Sequence, residues 1–129
     1  MTQAAILCVD DEEIVLTTLK EQLRRRFGSR FHYETARSAE AAWCAIDELA
    51  DEGLELLIIV SDWLMPGVRG DEFLIQVHQR FPQVAKVLLT GQADEQAIER
   101  ARREARLTAL LHKPWSEQEL AEVVEAALP

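Results

Sequence analysis

Apolar residues in this chain follow two patterns that take turns from one end to the other. In the first they form short unbroken runs: Ile6, Leu7, Cys8 and Val9; then Leu56, Leu57, Ile58, Ile59 and Val60; then Val87, Leu88 and Leu89; then Leu110 and Leu111. None of these runs alternates with a period of two, so each predicts a strand covered on both faces, as in a parallel sheet. In the second pattern apolar residues recur at helical spacing. Val15, Leu19, Leu23 and Phe27 predict a helix over 12–27 with Gly28 as its stop. Ala42, Ala45, Ile46 and Leu49 predict a second helix, capped by Ser38 and ended by Gly53. Phe73, Leu74 and Val77 predict a third over 71–80, closed by Pro82. The stretch 94–104 offers mainly alanines as an inner face (Ala97, Ala101 and Ala105, with Ile98). Leu120, Val123, Val124, Ala127 and Leu128 predict a last helix over 116–128.

Strands are thus expected at 4–9, 31–35, 55–61, 85–89 and 109–112. The second is polar enough for a sheet edge, and the third is the most apolar run, which suits the centre. Five β-then-α units with right-handed crossovers give a doubly wound five-stranded parallel sheet inside a three-layer α/β/α sandwich. A chain of 129 residues is one domain, expected to span 1–129.

Four of the five strands stop at a polar residue. The first ends at Asp10 and Asp11, the third at Asp62, the fourth at Thr90, and the fifth at Lys113, which Pro114 follows. In open α/β sheets the ligand site lies outside the carboxyl ends of the strands, so these groups are expected to converge on one crevice. Three carboxylates facing one ammonium repel one another unless a cation joins them, which predicts a hard divalent metal. The net charge of −9 disfavours non-specific contact with nucleic acid or anionic membrane. No stretch approaches the ~18 apolar residues of a membrane-spanning helix. Cys8 and Cys44 are expected as buried thiols rather than a disulfide, as in a reducing cytoplasm. His32, His78 and His112 share no metal-ligand spacing.

The paired Asp10 and Asp11, the stretch Asp62-Trp63-Leu64-Met65-Pro66 with Gly70, the pair Thr90-Gly91 and the pair Lys113-Pro114 occur in order, each at a predicted strand end. Together they resemble the receiver domains of two-component response regulators, over about residues 4–127. The resemblance implies the flavodoxin-like strand order 2-1-3-4-5. It implies that Asp62 is a phosphoacceptor, attacking the phosphohistidine of a sensor histidine kinase or a histidine phosphotransfer protein. It implies Mg²⁺ held by Asp11, Asp62 and the backbone carbonyl of Leu64, with Asp10 acting mostly through a metal-bound water. Lys113 would hold one phosphoryl oxygen; the Thr90 hydroxyl would donate to another, together with the backbone N–H groups of Trp63 and Gly91. A cis Lys113–Pro114 bond belongs to the same resemblance. So does an output or homodimer surface on the fourth helix, fifth strand and fifth helix. Such a module is cytoplasmic, switches its surface rather than turning over a substrate, and contacts neither nucleic acid nor membrane directly.

Each motif alone has a plainer reading. Asp10 and Asp11 could cap the first helix, Asp62 could start a turn, Thr90 could bond locally, and Lys113 could be a solvated surface group. Two rival functions follow. A haloacid-dehalogenase-type phosphohydrolase also uses a strand-end aspartate, a lysine and Mg²⁺, but needs a second acid two residues after the nucleophile, where this chain has Leu64. A degenerate receiver would serve only as an interaction domain, and the complete Asp/Asp/Asp/Thr/Lys set argues against it. This chain departs from many receivers in having Leu110, not an aromatic ring, three residues before the lysine. Arg24, Arg25 and Arg26 suit a helix C-terminus, whereas Arg100, Arg102, Arg103 and Arg106 decorate the alanine-faced helix next to the expected output surface.

Overall fold

One parallel sheet contains β1 (Ala4–Val9), β2 (Phe31–Ala36), β3 (Glu55–Asp62), β4 (Ala85–Thr90) and β5 (Ala109–His112), in the order β2-β1-β3-β4-β5. The helices are α1 (Glu13–Phe27), α2 (Ala39–Asp51), α3 (Gly70–Arg80), α4 (Glu95–Glu104) and α5 (Glu117–Ala127); a 3-10 turn, Gly28–Arg30, follows α1. The computed structural model describes residues 3–92 and 94–129.

Successive strand side chains point to opposite faces, and both faces are covered. Ile6, Cys8, Ile58, Val60, Val87 and Leu89 pack against Leu19 and Leu23 of α1 and Leu120 and Val124 of α5. Leu7, Val9, Ile59 and Leu88 pack on the other face against Ala42 and Ile46 of α2 and Phe73, Leu74 and Val77 of α3. Two apolar layers around a strand leave no polar side for the middle strands, which explains their unbroken runs.

Helix limits follow local chemistry. The Ser38 hydroxyl accepts the Ala41 N–H at 3.0 Å, the Asp94 carboxylate accepts the Ala97 N–H at 2.6 Å, and Ser116 and Glu119 form a reciprocal capping box. Gly28, at φ 58°, ends α1 in a conformation that a side chain would strain.

Three expectations need correction. The buried stripe of α1 is Leu16, Leu19, Leu23 and Phe27, and Val15, half-buried, packs at its edge; at 3.6 residues per turn, a row of i+4 steps drifts around the helix, which brings Leu16 to the centre in its place. Cys44 is exposed on α2, because the alanines and Ile46 own the inner face; Cys8 is buried, and burial pushes its thiol up to about 12. Both cysteines are free. The Trp63 backbone N–H, too, is bonded within the sheet rather than open to the crevice.

Candidate functional site

At the carboxyl end of the sheet the polar residues meet. β1 delivers Asp10, fully buried, and its carboxylate accepts the Glu12 N–H at 2.8 Å. That bond closes a local turn ahead of α1, whose N-cap residue is Glu12. Asp11 is half-buried beside Asp10, and Asp62, the last residue of β3, is 6% exposed. One carboxylate oxygen from each of Asp10, Asp11 and Asp62 lies within 4.8 Å of the others.

Lys113 crosses from β5. Its backbone N–H donates to the Thr90 carbonyl at 2.8 Å, which holds it beside the end of β4. Its Nζ lies 3.0 Å from Asp10 Oδ2 and 3.2 Å from Asp62 Oδ1. The Lys113–Pro114 peptide is cis. Thr90 is buried, and its hydroxyl accepts the Gln92 N–H at 3.1 Å. Asp11, Asp62, Leu64, Thr90, Gly91 and Lys113 line one open crevice of about 560 Å³, with the Leu64 side chain exposed at its mouth.

Charge balance in the crevice is incomplete. Burial and then the Asp10 charge push the Asp62 carboxyl above its ordinary value; Lys113 pulls it down, and Asp11 pushes it up again. Burial lowers the Lys113 ammonium, but its hydrogen bonds and charge contacts with Asp10 and Asp62 outweigh this and raise it overall. One ammonium thus serves two carboxylates, with a third adjacent. Clustered carboxylate oxygens of Asp10, Asp11 and Asp62 with one cation too few fit a hard, oxygen-preferring divalent ion such as Mg²⁺.

The segment after Asp62 is shaped by contact with the strand end. Gly70 N–H donates to the Trp63 carbonyl at 2.7 Å, folding 63–69 back on β3. A Cβ on Gly70 would strike the Asp62 backbone carbonyl, with the carbonyl carbon only 2.7 Å away. Close approach, rather than conformational freedom, is why glycine stands there. The Trp63 N–H donates to the Leu89 carbonyl at 2.9 Å. That corrects the expectation that it opens towards a phosphoryl group: it closes the β3–β4 ladder, whose last register pair is Asp62 with Leu89.

All five crevice residues read from the sequence, Asp10, Asp11, Asp62, Thr90 and Lys113, come together. Two neighbouring groups were not read. Asp71, at the start of α3, is fully buried, and Arg69 Nη2 meets its Oδ2 at 3.2 Å. Their signal was a cation and an acid flanking the Gly70 turn, a pattern that reads equally as surface charge. Leu110 is half-buried and packs on the layer containing Leu88. Trp115 donates its indole N–H to Gln22 at 2.7 Å, and Trp43 packs edge-on against Phe73.

The family model described as "Response regulator receiver domain" matches residues 6–125. The hydrogenase transcriptional regulatory protein HoxA of Cupriavidus necator is 31% identical over 126 residues, which is 98% of this chain and 24% of that protein. The sensor kinase CckA of Brucella abortus is 29% identical, over 97% of this chain and 12% of that protein. The chain spans between 12% and 24% of the length of the curated relatives it matches. Among solved structures, the signal receiver domain of an HD domain-containing protein from Pseudomonas fluorescens Pf-5 superposes with a TM-score of 0.84 at 30% identity, covering 97% of this chain and 94% of that one.

Proposed function

Because this chain belongs to the response regulator receiver domain family, we propose that Asp62 is its phosphoacceptor and that phosphorylation there drives its signalling. The observation that carries this reading is the meeting of three carboxylates within 4.8 Å, two of them on the Lys113 ammonium, where four strands end.

An Asp62 oxygen attacks phosphorus in line. The new P–O bond makes an acyl phosphate, and the P–N bond of a donor phosphohistidine breaks with its electron pair going to the imidazole nitrogen. Attack requires ionised Asp62, which burial and Asp10 oppose and Lys113 favours. Asp11, Asp62 and the Leu64 carbonyl would hold Mg²⁺, with Asp10 acting mostly through a metal-bound water, and the ion would supply charge neutralisation. Lys113 holds one phosphoryl oxygen as a point charge, and the Thr90 hydroxyl and Gly91 N–H hold another. Catalysis is then positioning and electrostatics, as phosphoryl transfer requires. The donor is a sensor histidine kinase or histidine phosphotransfer protein in the cytoplasm. Exposed Ile14, Leu64 and Val68 offer that donor an apolar surface. Output, through an attached domain or a homodimer, uses the face of α4, β5 and α5. A receiver dimer activated by beryllofluoride is among the similar structures, at 25% identity and a TM-score of 0.81 over 95% of this chain and 94% of that one.

Incubation with Mg²⁺ and acetyl phosphate, followed by intact mass measurement, tests the reading. One hydroxylamine-labile phosphoryl group per chain, absent from Asp62→Asn, is expected. Multiple turnover of phosphoesters would point instead to the phosphohydrolase, and no adduct to an interaction-only receiver.

A further inference from the structure

Arg69 occupies the N-cap position of α3 but makes no capping bond with its side chain. Its guanidinium instead reaches over the Trp63 ring, 5.9 Å from the centroid, and bonds to Asp71. Asp71 is an expensive partner. An acid in the first turn favours the helix dipole, and partly exposed Glu72 already supplies one at less cost. Asp71 is nonetheless fully buried, and its Oδ1 has no hydrogen-bond partner among the described residues. Burying a carboxylate against one half-exposed arginine does not repay its desolvation through helix stability alone.

What the pair does hold is Trp63. This residue follows Asp62 directly, and its backbone is fixed on both sides, by the Leu89 carbonyl and by the Gly70 N–H. Its ring packs on the layer formed by α2 and α3, and its indole Nε1 is buried with no hydrogen-bond partner among the described residues. A buried N–H without an acceptor is stable only where the surroundings over-determine the ring. The guanidinium supplies the covering surface, and Asp71 fixes the guanidinium.

We propose that Arg69 and Asp71 are positioning residues: a latch that holds Trp63 and thereby sets the loop carrying Leu64, whose carbonyl would face a cation bound at the Asp62 site. This rests on the reading of Asp62 as the acceptor beside a divalent cation.

The experiment uses the full chain labelled with ¹⁵N, indole exchange being read without metal and Mg²⁺ affinity by a separate titration. Trp43, Trp63 and Trp115 each give one indole N–H signal, and that of Trp63 is assigned by its loss in Trp63→Phe. Arg69→Gln and Asp71→Asn are expected to speed hydrogen exchange of the Trp63 indole about tenfold, leaving Trp43 and Trp115 unchanged, and to weaken Mg²⁺ binding by a similar factor, the lower end for outer partners of a metal site. Arg69→Lys, which keeps the charge but loses the planar cover, should fall between. Unchanged Trp63 exchange in both variants would overturn the latch. Acceleration of all three indoles together would also overturn it, since that marks general loosening. Failure of the acceptor reading is separately visible, as absence of the Asp62 adduct in the unaltered chain.

Discussion

Two lysines stand at opposite ends of one sheet and meet opposite treatment. Lys113, at the carboxyl end, is 22% exposed in its side chain and faces two carboxylates, so its ammonium is held above its ordinary value. Lys86, second residue of β4, is 2% exposed and donates to a neutral acceptor, the Val84 carbonyl, at 2.6 Å. Burial lowers the Lys86 ammonium. The neighbourhood is unfavourable to cations in general: burial, then the charges of Lys86 and Arg106, lower His78 as well. A charge buried with its counter-charges is part of a site; a charge buried with a carbonyl is a burden the fold carries.

Removing each lysine should therefore move stability in opposite directions. Lys113→Met leaves Asp10 and Asp62 buried without their cation and should cost about 3 kcal/mol in metal-free buffer, measured by urea denaturation. Equal stability with the parent would mean the crevice acids are already neutral. Gly70→Ala drives a methyl group into the Asp62 carbonyl and should cost about 2–3 kcal/mol, with the Asp62 adduct reduced as the strand end shifts. Wild-type stability together with full adduct yield would show that 63–69 is not seated as described.

Lys86→Met should stabilise the chain by about 1–2 kcal/mol, since an apolar group of similar length replaces an ammonium with no ion-pair partner among the described residues. A loss would show that the Val84 bond outweighs the desolvation. Mg²⁺ at ten times its dissociation constant should add about 1.4 kcal/mol by mass action. Asp11→Ala should lose most of that gain, yet exceed the parent by about 0.5 kcal/mol without metal, because one repelling acid is gone.

The smallest effect is a change in the slope of stability with pH. The unfolded reference for both lysines is 10.5. Lys86, lowered in the folded chain, binds fewer protons there, so its penalty is complete below its folded value and fades as pH rises to 10.5. Lys113, raised, contributes fully below 10.5, and that contribution is lost as pH rises through its folded value. Lys86→Met should erase the gain on the way to 10.5 and leave the loss above it. A rising limb that survives in Lys86→Met would assign it to another group.

The contrast between the lysines also marks the limit of what could be read from the chain. Strand and helix placement was legible because a strand covered on both faces needs an unbroken apolar run, and a helix covered on one face repeats every three or four residues. Asp10, Asp11, Asp62, Thr90 and Lys113 were legible because a chain turning at a strand end must put its next polar side chain outside the sheet. Lys86 was not, since a single charge in the run Lys86, Val87, Leu88, Leu89 reads as the strand's solvent-facing start. Its side chain alternates onto the same face as Leu88, and only the packing of the helices over that face buries it. Trp63 N–H, Cys44 and the Arg69–Asp71 pair belong to the same class. The sequence by itself determined which residues are apolar at which period, and through that the order of elements and the convergence of the crevice. Tertiary structure alone decided which charges kept a partner and which N–H groups stayed in the ladder, because burial and pairing depend on neighbours that are distant along the chain.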